Sequence, residues 1–193
     1  MWVVEVTRPC VVLGSTQAVS TVDAERASAA GVDVVRRRSG GGAVLVEPGG
    51  LVWVDVLVPA GDPLWDADVG RAFAWLGRAW AGALADVGVP EARPHDGPLR
   101  QRSWSRRVCF AGLGPGEVTV AGAKVVGICQ RRTRGGALFQ CAVLLRWEPA
   151  RLLDVLRLTD DDRRRGREEL AGVARGLDVD PIALVDALLG HLP

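Results

Sequence analysis

The sequence contains no asparagine and no tyrosine, and among its 24 basic residues Lys124 is the only lysine. No apolar run approaches the ~20 residues that a membrane-spanning helix needs. The start, Met1 to Val6, has no charged region followed by an apolar stretch of signal length, so the reading expects a cytoplasmic protein with no membrane partner. The four cysteines, Cys10, Cys109, Cys129 and Cys141, lack close metal-type spacing, and a chain of this length needs no disulfide framework. Reduced thiols and no metal site are predicted. A net charge of +1 gives no global attraction for nucleic acid, and no nucleic-acid motif is present. Anion binding must therefore come from local arginine clusters.

The scarcity of lysine cuts two ways. Where a position tolerates either cation, this chain uses arginine, so the lone lysine marks a place where a guanidinium fails or survives by chance on the surface. The count alone leaves both readings open. With 48% hydrophobic and 24% charged residues, the composition is that of a compact protein. A length of 193 residues suits one domain with a sizeable core, 149–193 forming a C-terminal helical segment.

Short β-branched runs at Trp2 to Val6, Cys10 to Leu13, Val32 to Arg36, Ala43 to Val46 and Leu51 to Val58 predict a strand-rich first quarter. Apolar residues at helical spacing predict a helix over Asp66 to Val87, stopped by Gly88. Its aromatics Phe73, Trp75 and Trp80 read as core packing. Pro90 to Gly116 is too long for an idle connection, which points to a functional loop. Glu117 to Val120 and Ala123 to Gln130 predict a hairpin around Ala121-Gly122, and Ala137 to Arg146 a further strand. Strict alternation would put Lys124 on one face with Val126, Ile128 and Gln130, an apolar setting for an ammonium that must reach a polar oxygen. Pro149, Thr159 and Asp180-Pro181 open three short helices.

Arginine and serine abut a glycine run in Arg36 to Val44, RRRSGGGAV, between two predicted strands. Glycines there let backbone N–H groups approach an anionic or carbonyl ligand closely. This segment resembles the signature loop of the lipoate-protein ligase, octanoyl-transferase and biotin-ligase superfamily, in its lipoate-type branch. Gly122-Ala123-Lys124-Val125-Val126-Gly127, followed by Gln130-Arg131-Arg132, resembles the G-x-K-x-x-G segment of that family. Val11 to Gln17, VVLGSTQ, is similar to its early strand and turn.

The resemblance implies an α/β fold with a mixed, mostly antiparallel sheet packed with helices. Because the sequence starts near the family's early strand, the fold is expected without the usual N-terminal helix. The implied activity is transfer of a lipoyl or octanoyl group to a lysine of a lipoyl carrier domain, of the glycine-cleavage H protein or dehydrogenase E2 type. In that frame Lys124 meets the acyl carbonyl or its developing oxyanion. Arg37 and the backbone of Ser39, Gly40, Gly41, Gly42 and Ala43 hold the activated head group. Trp53, Val126 and Gly127 line the acyl tunnel.

Two activation routes fall within the family. Ligases adenylate free lipoate or octanoate with ATP and Mg and usually show an Asn-Asp pair before the lysine, whereas this chain has no asparagine. Val108-Cys109-Phe110-Ala111 resembles instead the cysteine-bearing loop of thiol-dependent transferases, which need no nucleotide cofactor and take the acyl group from a donor such as acyl carrier protein. Cys109 follows Arg106 and Arg107, a setting that favours a thioester route. Cys129 and Cys141 alternate with apolar neighbours and read as core. The family's His-Gly after the lysine segment appears as Cys141-Ala142, and Val46 and Glu47 stand where a histidine follows the glycine loop. A relative that binds an acyl chain or carrier domain without turnover is the third reading.

Overall fold

The eight expected runs become strands in the computed structural model, which describes residues 1–193, and a ninth, two-residue strand forms inside the expected loop. In chain order the strands are β1 (Trp2–Val4), β2 (Cys10–Leu13), β3 (Asp33–Arg36), β4 (Val44–Val46), β5 (Leu51–Pro59), β6 (Arg93–Pro94), β7 (Val118–Val120), β8 (Ala123–Thr133) and β9 (Gly136–Leu144). Six of them pair antiparallel in the order β1-β5-β9-β8-β7-β6. The other three form a small sheet, β3-β2-β4, in which β2 and β3 run parallel. The fold is α/β with a mixed, mostly antiparallel strand arrangement.

Five helices cover the sheets: α1 (Ala24–Ala29), α2 (Ala74–Asp86), α3 (Pro149–Val155), α4 (Asp160–Leu170) and α5 (Pro181–His191). Their starts follow local chemistry. The Thr159 hydroxyl accepts from Asp162 N, and the Asp180 carboxylate accepts from Ile182 N and Ala183 N, satisfying donors that a helix start leaves free. None of the helices is long and apolar enough to cross a membrane.

The helix expected from Asp66 begins eight residues late, at Ala74, after a 3-10 turn over Arg71–Phe73. Asp66 and Asp68 explain the delay, because their carboxylates accept from Asp68 N, Gly70 N and Arg71 N. Such side-chain bonds offer the backbone an alternative to the helix ladder.

The six-stranded sheet has a core on each face. Behind it, Val54, Val56, Val126, Ile128, Phe139 and Cys141 pack with Leu76 and Trp80 of α2 and Leu184 and Leu188 of α5. In front, Leu51, Ala142 and Leu144 meet Val11 and Leu13 of the small sheet, together with Trp104, Phe110 and residues of α3 and α4. The front space between the two sheets does not close completely, and the gap is where the sequence motifs converge.

Candidate active site

A cavity of about 700 Å³ opens between the sheets. Its wall carries Arg37, Gly40 to Gly42, Trp53, Cys109, Lys124 and Gly127. These residues come from β5, β8, the glycine loop and the turn after Val108, and only the fold brings them together.

The glycine loop and the cysteine turn are stitched to one another. Ala43 N donates to Arg107 O and Cys109 N to Ala43 O, each at 2.9 Å. Gln17, at the end of the early VVLGSTQ segment, accepts from Gly14 N and donates to the carbonyls of Arg106 and Arg107. Contact is so close at Gly42 that a Cβ there would lie 2.6 Å from Val108 N. Any side chain would part the two segments.

Arg37 is buried, and its guanidinium faces inward. It donates to the carbonyls of Val12, Gly40 and Gly42, at 3.1 Å, 2.7 Å and 2.9 Å, and lies 3.7 Å from Cys109 Sγ. The structure thus places it as the brace of the loop rather than as a free grip on a head group. It is also the cation that reaches the sulfur. Arg107 instead pairs with Asp162 and stacks on Trp104. The Ser39 side chain likewise faces inward, donating to Gln140 Oε1 at 2.8 Å and lying 3.1 Å from Cys129 Sγ. What the loop leaves free is backbone: the N–H groups of Gly40, Gly41 and Gly42 have no acceptor within the chain.

Lys124 is not a surface lysine: its side chain is 3% exposed. Its ammonium is 2.7 Å from Glu117 Oε2, donates to Gly112 O at 3.0 Å and to Cys109 O at 3.4 Å, and sits 4.9 Å from the Phe110 ring centre. Glu117 also accepts from Gly114 N and Ile128 N, so a fixed carboxylate positions the lysine. From the sequence Glu117 is expected only as the start of a hairpin strand, and its role as the partner of Lys124 goes unread. An acid seven residues before the lone lysine, across a predicted hairpin, was the available signal.

Val126 requires a correction. Val118 pairs with Val126 while Thr119 pairs with Lys124, so Val125 is an extra residue in β8. This bulge breaks strict alternation. Lys124 therefore shares the cavity face with Gly127 and Cys129, and Val126 turns into the core behind the sheet. Cys129 also departs from the reading, since it lines the cavity. Burial pushes its thiol up to about 11. Cys141 is buried behind the sheet as expected, with its thiol likewise raised by burial. Phe73, expected only as core, lines the cavity while packing edge-on against Phe139.

Residues 1–177 match the family described as lipoyl protein ligase A/B catalytic domain. The chain belongs to that family. An octanoyltransferase, LipM, of Kyrpidia tusciae is 35% identical over 169 residues, covering 84% of this chain and 61% of that protein. The fold is similar to a bipartite lipoate protein ligase of Thermoplasma acidophilum, studied with its E2 lipoyl domain, with a TM-score of 0.75 and 20% identity over 95% of this chain and 66% of the other. A putative lipoate protein ligase of the same organism with bound lipoic acid gives a TM-score of 0.68 at 22% identity, over 95% and 67%. This chain therefore spans about two thirds of the length of these relatives.

Gly41 offers a direct probe of the loop. Its φ is +99°, and a Cβ would lie 2.8 Å from the Arg37 Nη2 and 3.6 Å from Cys109 Sγ. A Gly41→Val protein should lose on the order of 1–3 kcal/mol of stability through backbone strain. Donor binding should fall at least tenfold, more than that strain explains. Calorimetric titration of the folded variant checks this, and unchanged donor affinity would reduce the loop to a turn.

Proposed function

We propose that this chain transfers a lipoyl or octanoyl group to a lysine of a lipoyl carrier domain in the cytoplasm, through a thioester on Cys109. The observation that carries the reading is the convergence of Cys109, Lys124 and the unpaired N–H groups of the glycine loop on one cavity. The octanoyltransferase relative supports the octanoyl choice.

In the first half-reaction the Cys109 sulfur attacks the carbonyl carbon of an octanoyl thioester donor, such as octanoyl carrier protein. A new C–S bond forms, the donor C–S bond breaks, and the thiol proton passes to the departing sulfur. In the second, the neutral amine of the carrier lysine attacks the Cys109 thioester. An amide forms, the C–S bond to Cys109 breaks, and the amine proton returns to the cysteine sulfur. Both steps pass through a tetrahedral oxyanion, which gains most from donors already aimed at it. The loop N–H groups supply some of these donors. Lys124 supplies another by exchanging its longest bond, the 3.4 Å contact with Cys109 O, for the substrate oxygen. Glu117 and Gly112 hold the ammonium in place meanwhile.

The test is the intact mass of a lipoyl domain after incubation with enzyme under two donor conditions. Octanoyl carrier protein without nucleotide is expected to add one octanoyl group. Addition only with lipoate, ATP and Mg would favour the adenylating ligase. No addition under either condition would favour a binding relative.

A further inference from the structure

The floor of the cavity contains a row of residues that run across three strands. Gly127 of β8 pairs with Ala142 of β9, and Ala142 pairs with Trp53 of β5. All three line the cavity. Two have almost no side chain, so they leave a slot over the sheet, and the third is the largest side chain available.

The slot starts at the reacting groups. A Cβ on Gly127 would crowd Phe110 Cζ at 3.1 Å and touch Lys124 Cε at 3.4 Å, so glycine keeps the floor open beside the lysine stem. It ends at Trp53, whose Nε1 donates to Asp55 Oδ1 at 2.7 Å. That bond fixes the plane of the indole. Beyond the indole lies an open groove of about 370 Å³, whose walls carry Val12, Val46 and the exposed Val4 and Val35 together with the charged Arg8 and Asp33. Trp53, Arg37 and Gln140 border both spaces, so they form the partition.

We propose that Trp53 sets the length of the acyl chain this site accepts, with Asp55 as its positioning residue. The inference rests on the acyl-transfer reading for the identity of the ligand. Neighbouring strands lie about 4.8 Å apart, so β8 to β5 is roughly 10 Å. Carbon–carbon bonds of about 1.5 Å in an all-trans chain give eight carbons a span of about 9 Å. A chain of eight carbons fills the slot. A longer one meets the indole and has to fold back or displace it. Removing the indole joins the slot to this groove, where Val12 and Val46 can cover further methylenes.

The experiment measures affinity for saturated fatty acids of six to sixteen carbons by calorimetry, using wild-type protein, Trp53→Ala and Trp53→Phe. Wild type should bind eight carbons best and lose affinity beyond. Trp53→Ala should move the optimum to twelve or more, gaining about fourfold per added methylene over that range. Trp53→Phe retains a ring in the partition and should stay near the wild-type optimum. Asp55→Ala, which removes the acceptor for the indole N–H, should broaden the wild-type optimum rather than move it. An identical length profile in folded Trp53→Ala overturns the proposal, as does a wild type that binds no chain or shows no optimum. Octanoyl transfer, assayed in parallel, separates the two ideas. Transfer with an unmoved profile sinks the ruler and leaves the reaction standing, whereas a moved profile without transfer does the opposite.

Discussion

Lys124→Ala should cost about 3–5 kcal/mol of stability and abolish transfer, because it leaves the Glu117 carboxylate buried without its cation. The two losses have separable causes. In a Lys124→Ala, Glu117→Gln double variant no charge is stranded, so much of the stability should return while activity stays absent. Denaturant unfolding combined with the carrier-domain mass assay reads both. Lys124→Arg is informative in another way. Its retained charge would suggest an intact fold on sequence grounds alone, yet an ammonium that fits between Glu117, Gly112 O and Cys109 O leaves no room for a broad guanidinium. The arginine variant is expected to lose stability and at least a thousandfold in transfer rate. Wild-type rates in a folded arginine variant would remove Lys124 from the mechanism.

Cys109→Ser should eliminate the covalent intermediate and lower transfer by three orders of magnitude or more. A hydroxyl is far less nucleophilic than a cysteine sulfur, and the Arg37 guanidinium lies 3.7 Å from that sulfur. Fold and donor binding should change little, since the Cys109 backbone bond to Ala43 does not involve the side chain. The measurement is the mass of denatured enzyme after brief exposure to octanoyl carrier protein. Wild type should carry an octanoyl group that hydroxylamine removes, and Cys109→Ser should carry none. Full activity in Cys109→Ser together with a requirement for ATP would return Cys109 to a structural thiol and favour adenylation.

The sequence by itself determined the pieces whose chemistry is local. Strand runs such as Cys10 to Leu13 and Leu51 to Val58, the caps at Thr159 and Asp180, the glycine loop, the cysteine turn and the solitary lysine were all readable, because propensity, capping and short motifs act within a few residues. Their convergence was expected only through family resemblance. Tertiary structure decided the rest. Arg37 turns inward because three carbonyls surround it from β2 and its own loop, and no local pattern announces a cluster of backbone acceptors. Val126 turns away from the cavity because Val125 is an extra residue against β7, and an insertion of one is invisible until two strands are paired. Glu117 becomes the partner of Lys124, and Gly127 and Ala142 become a slot ending at Trp53, because register places them side by side. A sequence specifies which contacts a side chain prefers, but register and burial decide which neighbours it meets.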